Sequence, residues 1–274
     1  MITNDLLSPA LLHALAVFIV ALTVLQIAGY TGILALASRT ATLTPRDQFV
    51  LPFLIAASLA AWLGWAVLAV HEPVVAPEPP STGVQNLYLL LKMSVFVSLG
   101  IAALLFSKSM RALYAATPPA WLIGIQTYRV AGVIFLWPLL VSGALPATFA
   151  LFAGIGDLLT GLAAPLVAFA LARNHPRAHA RAVAWNCFGI LDFLVAVTAA
   201  VLSGSTNIGH FPLVIVPLFI VPIGLLAHIY SLRNLAAIRR RASANAMGDV
   251  ERDGGLLRSI SRTGDRASFG QTNA

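Results

Sequence analysis

Charge is what this sequence has least of. Only 10% of its 274 residues are Asp, Glu, Lys or Arg, against about 25% in a typical soluble domain. With 59% hydrophobic residues and a mean hydropathy of +0.87, too little polar surface exists to cover a water-soluble fold of this length. Cysteine is nearly missing as well. Cys187 stands alone inside an apolar stretch, which excludes a disulfide framework and leaves the redox compartment unreadable. Lysine is almost as scarce, with only Lys92 and Lys108 against 15 arginines. Before the first apolar run, Met1 to Pro9 carries Asp5 and no basic residue, so that run reads as a retained helix and not as a cleaved signal peptide.

What remains is a succession of long apolar runs. A bilayer core about 30 Å thick needs roughly 20 apolar residues at 1.5 Å of rise each. Seven stretches satisfy this: about 11–37, 49–70, 86–106, 120–142, 147–171, 182–203 and 212–232. None has the polar face at helical spacing that a soluble amphipathic helix needs. The fourth and fifth are separated only by Gly143-Ala144-Leu145-Pro146, a tight turn with its own helix breakers. The expected fold is therefore an all-α membrane protein, a bundle of seven transmembrane helices over residues 1–238.

Orientation follows from the basic residues. Arg39 and Arg46 lie in loop 1, Lys108 and Arg111 in loop 3, and Arg173, Arg177 and Arg181 in loop 5. The C-terminal segment adds Arg233, Arg239, Arg240, Arg241, Arg252, Arg258, Arg262 and Arg266, while loops 2, 4 and 6 and the N-terminal segment have none. That alternation expects the N-terminus outside, the C-terminus in the cytoplasm, and residence as a multi-pass protein of the cell inner (plasma) membrane. Residues 239–274 are rich in Arg, Ser, Gly and Asp and short of large apolar side chains. They are expected to be a disordered basic cytoplasmic tail. The Arg239-Arg240-Arg241 cluster suits contact with anionic lipid headgroups, beside its plainer role as a stop-transfer signal.

An ionisable residue inside a span costs about 2.5–3.5 kcal/mol on insertion scales, and three lie deep. Arg129 is about 13 Å into span 4 and Asp192 about 15 Å into span 6, while Asp157 is near the midplane of span 5. Gly154, Asp157, Gly161 and Pro165 share one stripe of span 5, and Trp185, Gly189 and Asp192 share one of span 6. Small residues on such stripes let a neighbouring backbone approach. One Arg against two Asp leaves a surplus negative charge if all are ionised. Either one carboxyl is protonated near neutral pH or a bound cation balances it, and the two Asp titrate as a coupled set.

A second polar layer, nearer the cytoplasm, is expected from Gln126, Asn186 and His228. His228 falls about 6 Å from the inner boundary when span 7 is counted from Pro212. Span 7 also carries Pro212, Pro217 and Pro222. Each removes a backbone donor, so a kinked helix with freed carbonyls is expected, of the kind that suits a moving or ion-binding element. At the outer boundary Lys92 can snorkel towards Glu72, with His71 and Glu78 nearby. Trp121 and Trp185 read as interfacial anchors.

Several chemistries are excluded. Seven helices invite comparison with retinal proteins, but those hold retinal on a lysine of the seventh helix and this chain has none there. No helix presents paired His at one depth for haem. His175 and His179 form an H-x-x-x-H string interrupted by Pro176 and flanked by Arg, a basic loop and not a metal site. No nucleotide-binding, serine-hydrolase or zinc-protease signature occurs. No catalytic residue, cofactor, metal or nucleic-acid partner is therefore assigned, and the reading leans away from an enzyme.

The strings Gln126 to Gly132, Gly154 to Pro165, and Trp185-Asn186 with Asp192 resemble uncharacterised bacterial multi-pass integral membrane proteins over about residues 120–232. The resemblance implies only that the last four spans are the signature part. Two functions are then expected to compete. One is a small proton- or cation-coupled transporter using the midplane Asp/Arg layer, for an unidentified solute or ion. The other is a non-catalytic structural or assembly subunit whose buried charges lock spans 4 to 6.

Overall fold

The computed structural model describes residues 8–69 and 83–268, and among these the fold is all helical. Seven helices are long and apolar enough to cross a membrane. Helix α1 spans Pro9–Ser38, with Ser8 accepting from the Leu11 N–H as N-cap. Helices α2 (Pro45–Ala69) and α3 (Gly83–Phe106) follow. A short helix, α4 (Lys108–Ala116), lies between spans 3 and 4. Helix α5 (Pro119–Leu139) is composite: α-helical over Pro119–Gly124, 3-10 over Ile125–Gly132, and π-helical over Phe135–Leu139, where Pro138 interrupts the ladder. Helices α6 (Ala147–Ala172), α7 (Ala178–Leu202) and α8 (Val221–Ser268) complete the order, α8 being entered through a π-helical turn at Val216–Ile220.

The turn between α5 and α6 forms as its residues dictate. Gly143 adopts a positive φ of 71°, a conformation open to glycine at no steric cost. The Leu145 N–H then bonds back to the Leu139 carbonyl at 3.2 Å.

The first six spans turn large apolar side chains outward, among them Phe49, Leu68, Trp137 and Leu166. The seventh is the most enclosed of the set. Its buried residues include Leu218, and Phe219, Ile223 and Tyr230 share one apolar core with Ile19, Leu34 and Leu113. A central helix with two prolines would leave unpaired carbonyls in an apolar core, which is costly. Side chains from other helices take them up. Pro222 has no N–H for the Leu218 carbonyl four residues earlier, and Trp62 Nε1 donates to that oxygen at 3.0 Å. Gln26 Nε2 donates to the Ile220 carbonyl at 3.3 Å and Gln126 Nε2 to the Gly224 carbonyl at 2.9 Å. The carbonyl that Pro222 frees is thus held by α2, and Gln26 of α1 and Gln126 of α5 add donors to two further carbonyls of the same span. Trp62→Phe is expected to destabilise by about 1–3 kcal/mol, the cost of stranding a buried acceptor, and thermal unfolding in detergent measures it.

Three sequence expectations are corrected here. Span 7 becomes helical at Ile215 and not at Pro212, because Pro212 to Val214 form a turn. Pro212 therefore kinks no helix. Trp185 is no interfacial anchor: it is buried at 6% exposure, and its Nε1 donates to the Thr160 carbonyl at 3.1 Å. Helix α4 was not expected at all.

The chain divides into two compact units between Leu232 and Arg233. In the second, the backbone is helical to Ser268, and Arg239, Arg240 and Arg241 are exposed.

Candidate functional site: a buried arginine between two aspartates

Three helices bring the deep charges to one point. Arg129 lies in the 3-10 segment of α5, Asp157 in the middle of α6 and Asp192 in the middle of α7. The arginine side chain is 1% exposed, Asp192 6% and Asp157 19%. Arg129 Nε donates to Asp157 Oδ1 at 2.7 Å, and Nη2 donates to Asp192 Oδ2. Nη1 lies 3.1 Å from His228 Nε2. Each guanidinium nitrogen thus meets a different helix, and the Phe193 ring lies 3.9 Å from the guanidinium carbon, a cation–π distance.

These contacts fix the direction of the hydrogen bonds. A guanidinium has only donors, so His228 Nε2 must accept. His228 is then neutral, with its proton on Nδ1, which donates to Asn186 Oδ1 at 3.0 Å. Asn186 Nδ2 donates in turn to the Ala182 carbonyl at 2.7 Å and to Ser231 Oγ at 3.1 Å. Trp185 and Phe193 flank the imidazole, with ring centroids at 4.9 and 6.0 Å.

Glycine allows this density. A Cβ on Gly161 would stand 2.4 Å from the Val130 nitrogen, and one on Gly132 2.4 Å from the Asp157 Cβ. On Gly189 it would meet the His228 ring at 2.3 Å, and on Gly156 it would collide with Asp192 Oδ1. The stripe of Gly154, Asp157 and Gly161 thus faces α5, where Gly154 sits against Leu136.

The structure joins His228 and Asn186 to the Arg129 layer, where depth counting separates them. Two physical reasons account for this. An arginine side chain reaches several ångströms from its own backbone. Span 7 also starts later than Pro212, so counting from Val216 puts His228 about 18 Å in, close to the midplane. Gln126 remains buried one turn away, its donor on Gly224 and its amide oxygen without a hydrogen-bond partner among the described residues. Lys92 is exposed, with Nζ 5.9 Å from the Trp65 ring centroid. Its expected partner Glu72, with His71 and Glu78, lies outside the described residues.

A cavity leads to the layer from the side of the α5–α6 turn. Phe135, Phe149, Phe193, Met93 and Pro217 are among its walls, and among the described residues Asp157 is the one charged side chain lining it. Among the described residues, no group of three or more His, Cys, Asp or Glu side chains is placed to hold a metal ion. The two carboxylates lie on different nitrogens of the guanidinium, so they do not converge on a common point.

Sequence reasoning missed Phe193, which lies against the guanidinium and lines the cavity, and Tyr128 and Gly224, which pack close to each other. A Cβ on Gly224 would stand 2.7 Å from the Tyr128 hydroxyl and 2.9 Å from the Phe193 ring. An aromatic or a glycine in an apolar span gives no signal of its own, since such residues are ordinary there.

No curated protein and no solved structure matches the chain. A family model described as a domain of unknown function, DUF8737, matches residues 86–236, which include Arg129, Asp157, Asp192, Asn186 and His228. With more than half of its length covered, the chain belongs to the DUF8737 family.

Proposed function

We propose that this is an integral protein of the inner (plasma) membrane, with its N-terminus outside and its C-terminal segment in the cytoplasm, that moves a small solute coupled to a proton. The supporting observation is a buried layer with one more carboxylate than arginine, reached at Asp157 by a cavity. A structural ion pair needs matched charges, whereas a surplus carboxylate needs a neutralising partner that can come and go. A proton fits better than a metal cation. Among the described residues the cavity walls are apolar apart from Asp157, and a single carboxylate cannot replace a metal ion's hydration shell. In this reading Asp157 and Asp192 share the proton, Arg129 is their counter-charge, and His228 with Asn186 anchors the arginine. The exposed Arg239 to Arg241 cluster contacts anionic headgroups on the cytoplasmic face.

A structural or assembly role is the second reading. It is favoured by the complete engagement of Arg129, whose three nitrogens each meet a partner. Currents from proteoliposomes on a solid support, screened over a panel of small metabolites under a proton gradient, separate the two. Transport expects a solute-dependent current that falls at least tenfold in Asp157→Asn while the variant stays folded. A solute-dependent current equal in wild type and Asp157→Asn would refute the proposed role of that carboxylate.

A further inference from the structure

Helices α2 and α3 meet through Trp62 and Phe96, with ring centroids 5.6 Å apart. Between them, and against α1, α4 and the start of α8, lies a cavity of about 440 Å³ lined by Leu54, Trp62, Phe96, Leu99, Met110 and Tyr114, among others. Leu54 and Leu99 on its rim are 51% and 62% exposed, so the cavity opens sideways, where a bilayer would meet it. Its interior is mostly carbon, with Ser58 and three tyrosines among its lining residues. The Tyr30 and Tyr114 hydroxyls bond each other at 2.8 Å, and the Tyr230 hydroxyl donates to the Gly100 carbonyl at 2.9 Å. An apolar void of this kind forfeits dispersion contacts unless something fills it. An acyl chain is the filler that a bilayer supplies.

The end of the cavity nearest loops 1 and 3 is basic. Ser109 Oγ lies 3.5 Å from Asp47 Oδ2, joining the start of α4 to the start of α2. That contact brings the neighbouring Arg46 and Lys108, both exposed, to the same edge. Arg111, three residues along α4 from Lys108, rests its guanidinium on carbonyls near the end of α3, those of Leu104 and Leu105. Three basic residues against one acidic residue attract an anionic headgroup, while the cavity begins one turn deeper at Met110 and Tyr114.

We propose that this cavity holds one acyl chain of an anionic phospholipid whose headgroup rests on Arg46 and Lys108. The site is independent of the charged layer and of any transport activity. It differs from the general attraction of a basic tail because it demands a headgroup and a chain in one place. A zwitterionic lipid would satisfy only the cavity, and inorganic phosphate only the basic edge.

Native mass spectrometry of the full chain, delipidated and then offered equal amounts of phosphatidylglycerol and phosphatidylcholine, tests this. Wild type is expected to retain one phosphatidylglycerol in preference to phosphatidylcholine. Arg46→Gln and Lys108→Gln are surface changes, and each is expected to reduce that preference about fivefold. Ala103→Phe, and separately Ser58→Leu, narrow the cavity and are expected to lower retention of both lipids. Equal retention of the two lipids by wild type would overturn the proposal. So would a preference unchanged in the Arg46→Gln/Lys108→Gln double variant. Displacement of the lipid by millimolar inorganic phosphate would mark a simple anion site, and would also overturn it.

Discussion

Asparagine at Asp157 alone, or at Asp192 alone, is expected to leave stability within about 1 kcal/mol of wild type. Both together are expected to cost about 3–5 kcal/mol. The asymmetry comes from charge arithmetic. Arg129 meets Asp157 through Nε and Asp192 through Nη2, so one positive group faces two negative ones. A single Asp→Asn change removes the surplus charge, and the asparagine oxygen still accepts from the guanidinium. The double change leaves a buried guanidinium with no counter-charge. Arg129→Gln is expected to fall in the same costly range, since it strands the two carboxylates instead. Thermal unfolding of the detergent-purified variants, with a complete double-mutant cycle, measures the coupling. Additive small effects across the cycle would mean that the three groups do not form one unit.

The second large effect is expected at Gly161. Its missing Cβ would lie 2.4 Å from the Val130 nitrogen and 2.8 Å from the Arg129 carbonyl carbon. Both are backbone atoms of the 3-10 segment, which cannot turn aside as a side chain can. Gly161→Ala must therefore push α5 away from α6 by a fraction of an ångström or more, separating Arg129 from Asp157. Overpacking of this kind costs about 1–3 kcal/mol, and the lost ion-pair geometry adds to it. Gly64→Ala in α2 is the matched control, because no described residue lies within 4 Å of its Cβ position. There the change is expected to gain up to about 1 kcal/mol from helix propensity alone. Equal behaviour of the two variants in thermal unfolding would show that α5 and α6 do not depend on close approach.

The broad architecture was legible because membrane insertion imposes length and polarity so strictly. Seven apolar runs in the sequence correspond to seven helices long and apolar enough to cross a bilayer. The convergence of Arg129, Asp157 and Asp192 was legible for the same reason: a charge at midplane depth must find a partner. Glycine spacing on α6 pointed to the helix face that meets α5. Helix α4 escaped because nine residues are too few for a span, although Ser107 as N-cap and the spacing of Met110, Leu113 and Tyr114 carry a signal. The 3-10 segment carries no local signal, and Pro138 and Pro217 in the π-helical segments mark an interrupted ladder without giving its form. His228 meets Arg129 against the depth count, because an apolar run gives the length of a span but not its starting residue. Pro212, Leu213 and Val214 are as hydrophobic as the helix they precede, yet they form a turn.

The central claim is that the buried layer carries one surplus carboxylate, neutralised by a proton. Infrared spectroscopy of the protein reconstituted in lipid at neutral pH, without added divalent cations, tests it most directly. The expected result is the carbonyl-stretch band of a protonated carboxyl in wild type, lost when either Asp157 or Asp192 becomes Asn. Two ionised carboxylates with no such band and no bound cation would contradict it.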